Sequence, residues 1–178
     1  MGSRSLRLVA LAVAALALWV VVSPAGATSD GRKVALSSLE QGVLQEINSV
    51  RREHGLAPLR LSSNLSAAAR QHSQEMAASG YFSHDSANGS SFDRRIARYY
   101  PLGRNRYWAV GENLLWSSPD VDPDGALEMW WNSPEHRKNM LTSRWREIGV
   151  SAVHVPAAPG TYGGREVTIV TTDFGVRR

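Results

Sequence analysis

The sequence predicts an α+β fold, with helices leading the mature chain and an antiparallel strand pair closing it. Apolar residues recur at helical intervals through Leu39, Val43, Ile47 and Val50, and Leu65, Ala69, His72 and Met76 fall on a second such stripe. Two β-branched runs, 148–155 and 166–174, are separated by a Pro/Gly-rich loop at 156–164, the pattern of two paired strands. Because helices lead and strands follow, the order argues against an alternating α/β chain.

The N-terminus is set aside from that fold. Arg4 and Arg7 precede an apolar run at 8–22, and Ser23-Pro24 then leads to Ala25-Gly26-Ala27. This is the pattern of a secretory signal peptide with an A-x-A site, cleaved before Thr28. The run is shorter than the ~20 residues that span a bilayer, so no stable transmembrane anchor is expected. The leader takes two of the 20 basic residues and none of the 16 acidic ones, lowering the formal charge from +4 to +2. The expected organisation is a signal peptide at 1–27, a tail at 28–35 and one domain at 36–176.

Each element has a local cause. Ser37 and Ser38 stand three residues before Glu40 and Gln41, the capping-box spacing, and open a helix over 38–53 that Gly55 closes. The stretch 56–59 is an extended connector, since the residue before Pro58 is biased away from helix. Ser62 or Ser63 caps a second helix ending at Gly80. On its stripe His72 faces whatever the helix packs against, as a core histidine or as the wall of a site. The polar stretch 85–91 is a loop, and 92–99 is a short basic helix stopped by Pro101. An irregular strand with a turn at Gly111 is expected over 107–116. Asp122-Pro123 opens a helix carrying Leu127, Trp130 and Trp131, which Pro134 stops; His136 then falls just past that stop.

Composition narrows the function. With no cysteine, thiolate zinc sites and cysteine nucleophiles are excluded, and the domain is stable without disulfides. The modest mature charge and the lack of a reader motif argue against nucleic acid. Glu112 is the sharpest single residue, a carboxylate flanked by Val110, Leu114, Leu115 and Trp116 that wants burial and therefore a partner. His84 and His136 stand at positions where a side chain turns into a cleft. Each also has a plain reading, as a structural acid or a surface histidine. His54 and His154 have only the plain one. No H-E-x-x-H, EF-hand loop or G-x-S-x-G elbow is present, so a zinc site would be assembled from separated residues, His84, Glu112 and His136, with a fourth ligand or water. Trp130 and Trp131 are adjacent on one helix; one faces the core and the other is free to line a groove. Arg94, Arg95, Arg98, Arg104 and Arg106 form a basic set that reads as a solvated face or as a surface for cell-envelope polymer or lipid headgroups.

Several segments, in order, resemble the CAP superfamily of cysteine-rich secretory, antigen 5 and pathogenesis-related proteins, in its bacterial secreted form. They are Ile47-Asn48-Ser49-Val50-Arg51, Leu65 to Ala69 leading to His72-Ser73-Gln74-Glu75-Met76-Ala77, and Tyr81-Phe82-Ser83-His84. Gly111-Glu112-Asn113-Leu114, the run from Trp131-Asn132-Ser133-Pro134-Glu135-His136 to Met140-Leu141, Ile148-Gly149-Val150 and Thr172-Asp173-Phe174-Gly175 complete the set. The resemblance implies a three-layer α-β-α sandwich with a central antiparallel sheet and a cleft gathering two histidines and two acids. His84, Glu112 and His136 match three of those four. Where the second acid is expected the chain has Ser133 or Pro134; Glu135 is one step away, and His72 is a further candidate.

The resemblance further implies an extracellular or cell-envelope protein, a ligand-binding module whose His/Glu cleft takes a divalent cation such as zinc or an apolar or lipid ligand. The alternatives are a metal-dependent hydrolase with Glu112 as the catalytic base, and an adhesion protein using the arginine face.

Overall fold

The computed structural model describes residues 36–178. The expected leader and tail, at 1–35, lie outside the described residues. Helix α1 (Ser38–Glu53) opens with the anticipated capping box: the Glu40 amide donates to Ser37 Oγ at 3.2 Å and the Ser37 amide to Glu40 Oε2 at 2.8 Å. A two-residue strand β1 (Arg60–Leu61) leads into α2 (Ser63–Ser79), capped by the Ser62 hydroxyl and ended by Gly80 in the left-handed conformation. Helix α3 (Phe92–Tyr99) follows the loop.

Strand β2 (Trp108–Ser117) differs from expectation, being continuous through Gly111 rather than turning there. The glycine answers a different need: a Cβ at this position would stand 2.6 Å from Asn139 Oδ1 and 2.9 Å from the Trp145 ring. Helix α4 (Pro123–Trp131) has the Asp122 cap. Pro134 ends no helix but opens another, α5 (Pro134–Met140), because proline's fixed φ and missing N–H suit a first helical turn. His136 therefore stands in that turn and not in a loop. Strands β3 (Glu147–Ala158) and β4 (Arg165–Arg177) form the expected antiparallel pair, joined through a 3-10 turn at Gly160–Tyr162.

The sheet order is β1-β3-β4-β2, antiparallel except where the short β1 runs parallel to β3. Strand β4 lies between β3 and β2, covered on both faces, and its residues 167–176 are all buried. Side chains alternate between those faces. On one, Val150, Val170 and Phe174 pack with Val43 and Ile47 of α1, Trp130 of α4 and Met140 of α5. On the other, Ile169 and Leu114 pack with Met76 and Ala77 of α2, while Leu65 and Ala68 pack with Ile96 and Tyr100. Helices on both faces of a central sheet make the three-layer sandwich. No helix among the described residues is long and apolar enough to cross a membrane.

Candidate functional site

The candidate site grows from the edge strand of the sheet. Because successive strand residues point to opposite faces, Glu112 enters the α2/α3 layer while Asn113 enters the α4/α5 layer, and one short stretch of β2 serves both. Glu112 is buried, with one oxygen accepting from Arg95 Nη2 and the other 2.8 Å from His84 Nδ1. Arg95 is equally buried and also donates from Nη1 to the His84 carbonyl at 2.8 Å. Burial pushes the Glu112 carboxyl up, but the His84 hydrogen bond and the Arg95 charge outweigh it and hold the group below its usual range. Facing an ionised carboxylate, His84 Nδ1 carries a proton, and Nε2 makes no hydrogen bond among the described residues.

His84 is half exposed at 50%, yet its backbone is pinned from below. His72, fully buried on α2, donates from Nε2 to the Ser83 carbonyl at 2.8 Å, and burial lowers its basicity so that the ring stays neutral. Its place is thus the core beneath the site and not the cleft wall. His136 reaches the cleft from the other layer. Asn113 Nδ2 donates to the His136 carbonyl at 3.1 Å, while Asn139 Nδ2 donates to the Glu112 carbonyl at 3.1 Å and to Asn113 Oδ1 at 2.9 Å. Burial and the neighbouring His84 lower the pKa of His136, partly opposed by Glu135.

The open cleft has a volume of about 550 Å³, and His84, Glu112, Glu135 and His136 all line it with Asp85, Lys138 and Arg144. A smaller apolar pocket of about 230 Å³ adjoins it, walled by Phe82, Leu114, Trp116, Met129 and Trp130. His136 lines both. Trp130 is the buried member of the tryptophan pair; Trp131 lines a separate groove beside α1 with His54.

The donor set does not fit a zinc ion held by His84, Glu112 and His136. Both Glu112 oxygens are already engaged, one by a guanidinium that would repel a cation. Among the described residues no group of three or more His, Asp or Glu side chains is placed to hold a metal ion.

Two buried residues escaped sequence reasoning as members of the site. Arg95 was expected on the solvated basic face; the structure corrects this, for it is 1% exposed. Its position was legible: with Phe92 and Ile96 facing inward, Arg95 shares the apolar side of a short helix. Asp173 is paired in register with Glu112 and fully buried, with neither oxygen hydrogen-bonded. Burial, then the Glu112 charge, raises its pKa well above the usual carboxylate range, so it is held as the neutral acid. An acid inside a continuous buried strand was the signal.

Asp173 also predicts a pH effect. A folded pKa above the unfolded one means its contribution is fully present below pH 3.8 and is lost as pH rises toward the folded pKa. Asp173→Asn removes that loss while keeping the shape. The variant gains stability relative to wild type as pH is raised from 4 to 7, readable as a melting-temperature difference at each pH; a difference that does not change with pH contradicts the neutral acid.

Comparison with known proteins places this geometry. The family profile described as "CAP: Cysteine-rich secretory protein family" matches residues 44–172. Bacillus subtilis (strain 168) YkwD, an uncharacterized protein, is 33% identical over 127 residues, covering 71% of this chain and 47% of YkwD. The uncharacterized membrane protein YlbC of the same organism is 31% identical over 130 residues, or 73% of this chain and 36% of YlbC. The chain thus spans less than half of either relative. An extracellular protein containing an SCP domain from Bacillus anthracis has a crystal structure that superposes with a TM-score of 0.58 at 28% identity, covering 82% of this chain and 45% of that one. An outer surface protein of Borrelia burgdorferi gives a TM-score of 0.60 at 19% identity, over 78% and 92% of the two chains; this second likeness is one of fold.

Proposed function

The chain belongs to the CAP, or cysteine-rich secretory protein, family, and from that premise we propose that it is an exported module binding an amphipathic ligand at the sheet edge. The observation carrying this reading is the junction of a polar cleft with an apolar pocket at His136. The polar part carries both signs of charge, Asp85 and Glu135 against Lys138 and Arg144, which suits a zwitterionic or hydrogen-bonding head group better than a bare ion. The apolar part, with Phe82 and Met129 exposed beside Trp116, takes the ligand's hydrocarbon portion. The Bacillus anthracis SCP-domain protein is extracellular, which supports export.

The test is titration with lysophosphatidylcholine, followed by tryptophan fluorescence. Wild type binds saturably, and Met129→Asp weakens binding about tenfold or more by placing a charge where the chain must sit. His84→Ala weakens it less, about threefold to tenfold, the range of one lost hydrogen bond. Equal affinities for all three proteins, or no saturable binding by the wild type, would sink the proposal.

The His84–Glu112 pair favours a second reading, a hydrolase in which His84 Nε2 takes a proton from water while the carboxylate holds Nδ1–H in place. Glu112, engaged by Arg95 and His84, then orients and does not itself act as the base. Turnover of ester or peptide substrates that His84→Ala abolishes supports it; no turnover by the wild type removes it.

A further inference from the structure

A second surface is built from arginines that form no salt bridge among the described residues. Arg94 and Arg98 stand four residues apart on α3, both exposed, and Arg104 and Arg106 follow in the exposed loop before β2. The tertiary structure adds two more from the far end of the chain. The Arg106 and Tyr107 amides both donate to the Arg178 carbonyl at 2.8 Å, and the Arg178 amide returns a bond to the Tyr107 carbonyl at 3.0 Å. Arg177 Nη1 meanwhile donates to the Pro101 carbonyl at 3.2 Å. Arg104 and Arg106 of the 101–107 loop are thus joined by Arg177 and Arg178, with Arg94 and Arg98 on the helix just before it, and none of the six forms a salt bridge with an acid among the described residues. Asp93 accepts from Ser91 Oγ and Glu147 from the Tyr100 hydroxyl, and the six guanidinium charges outnumber these two carboxylates.

Charge is only half of the surface. Leu102 is 42% exposed and Tyr107 37% exposed, placing an aliphatic and an aromatic side chain among the guanidinium groups. The Leu102 carbonyl accepts from both the amide and the side chain of Asn105, at 3.2 and 2.9 Å, closing the turn that presents Leu102. Arg178 lies over the Tyr107 ring at 5.1 Å and Arg177 over Tyr100 at 4.0 Å, so both guanidiniums are held in place by aromatic faces.

We propose that this face docks on an anionic lipid bilayer, with the arginines meeting headgroup phosphates and Leu102 and Tyr107 entering the interface. A soluble polyanion would use the arginines alone; exposed leucine and tyrosine among basic residues match the layered chemistry of a membrane surface. The docking needs no occupant in the cleft, and it assigns the arginine face to a lipid partner in place of the solvated role.

The test is co-sedimentation with vesicles, using protein expressed with its own leader and recovered after export. Phosphatidylcholine vesicles are compared with an equal mixture of phosphatidylcholine and phosphatidylglycerol. Wild type sediments with the mixed vesicles only, and raised salt releases it. Arg104→Glu with Arg106→Glu lowers partitioning about tenfold or more. Leu102→Asn lowers it too, while leaving binding to soluble polyphosphate close to wild type. Unchanged melting temperatures confirm that each variant is folded, and exposed Arg94→Glu with Arg98→Glu provides a second charge variant if the loop pair does not fold. No sedimentation with anionic vesicles overturns the proposal. So does a Leu102→Asn variant that sediments like wild type with polyphosphate as an effective competitor, which would assign the face to a soluble polyanion.

Discussion

Arg95→Ala lowers the stability of the domain at neutral pH by about 3–5 kcal/mol, the cost of leaving one member of a buried ion pair alone. Two connections are lost together: the pairing with Glu112 and the bond to the His84 carbonyl. Urea unfolding measures the effect as a shift in midpoint at constant slope. The loss narrows below pH 4.5. In wild type the depressed Glu112 pKa contributes stability that is present above 4.5 and lost as pH falls through the folded value. Without Arg95 the Glu112 pKa rises instead, so the variant loses stability as pH increases. Replacing both partners, Arg95→Met with Glu112→Leu, recovers much of the loss because no lone charge remains buried. A single-variant cost under about 1 kcal/mol would show that Glu112 does not depend on Arg95.

Gly149→Ala is expected to cost about 3 kcal/mol or more, at or beyond the upper end of overpacking effects. A methyl at this position would stand 2.1 Å from the Leu65 carbonyl carbon and 2.2 Å from the Ser66 nitrogen. Those are backbone atoms in the first turn of α2, which cannot rotate aside, so the whole helix must lift from β3. That movement carries His72 and the Ser83 carbonyl with it, and affinity for the cleft ligand falls alongside stability. Gly55→Ala is the contrast: the residue has φ +68 with open space around it, and the cost there is only the ~1–2 kcal/mol of a left-handed non-glycine residue. Thermal melts of the two variants separate crowding from backbone strain. Equal losses would show that the close approach of α2 to β3 is not what Gly149 serves.

Helices α1 and α2 were legible because each carries its own start and stop signals, α3 from the Pro101 that stops it, and the β3–β4 pair from its Pro/Gly loop. Gly111 and Pro134 misled for a common reason. Each residue type has two uses, and the choice is made by a distant neighbour: Asn139 and Trp145 crowd the glycine, and the chain after Pro134 packs Met140 into the core. In the site, Glu112, His84 and His136 could be named from their neighbours in sequence. Their grouping could not, since they lie on three separate elements.

By itself the sequence determined the class of fold, the family resemblance and the residue types from which a site could be made. Those follow from local periodicity, caps and ordered short motifs, all written along the chain. Only the tertiary structure decided what the residues do to one another. It removed Arg95 from the surface and set it against Glu112, placed the neutral Asp173 beside that pair, and put His72 under the cleft instead of in it. The reason is electrostatic: the protonation state and partner of a buried charge depend on distances across layers and on the solvent removed between them, and neither quantity is encoded in the spacing of residues along a chain.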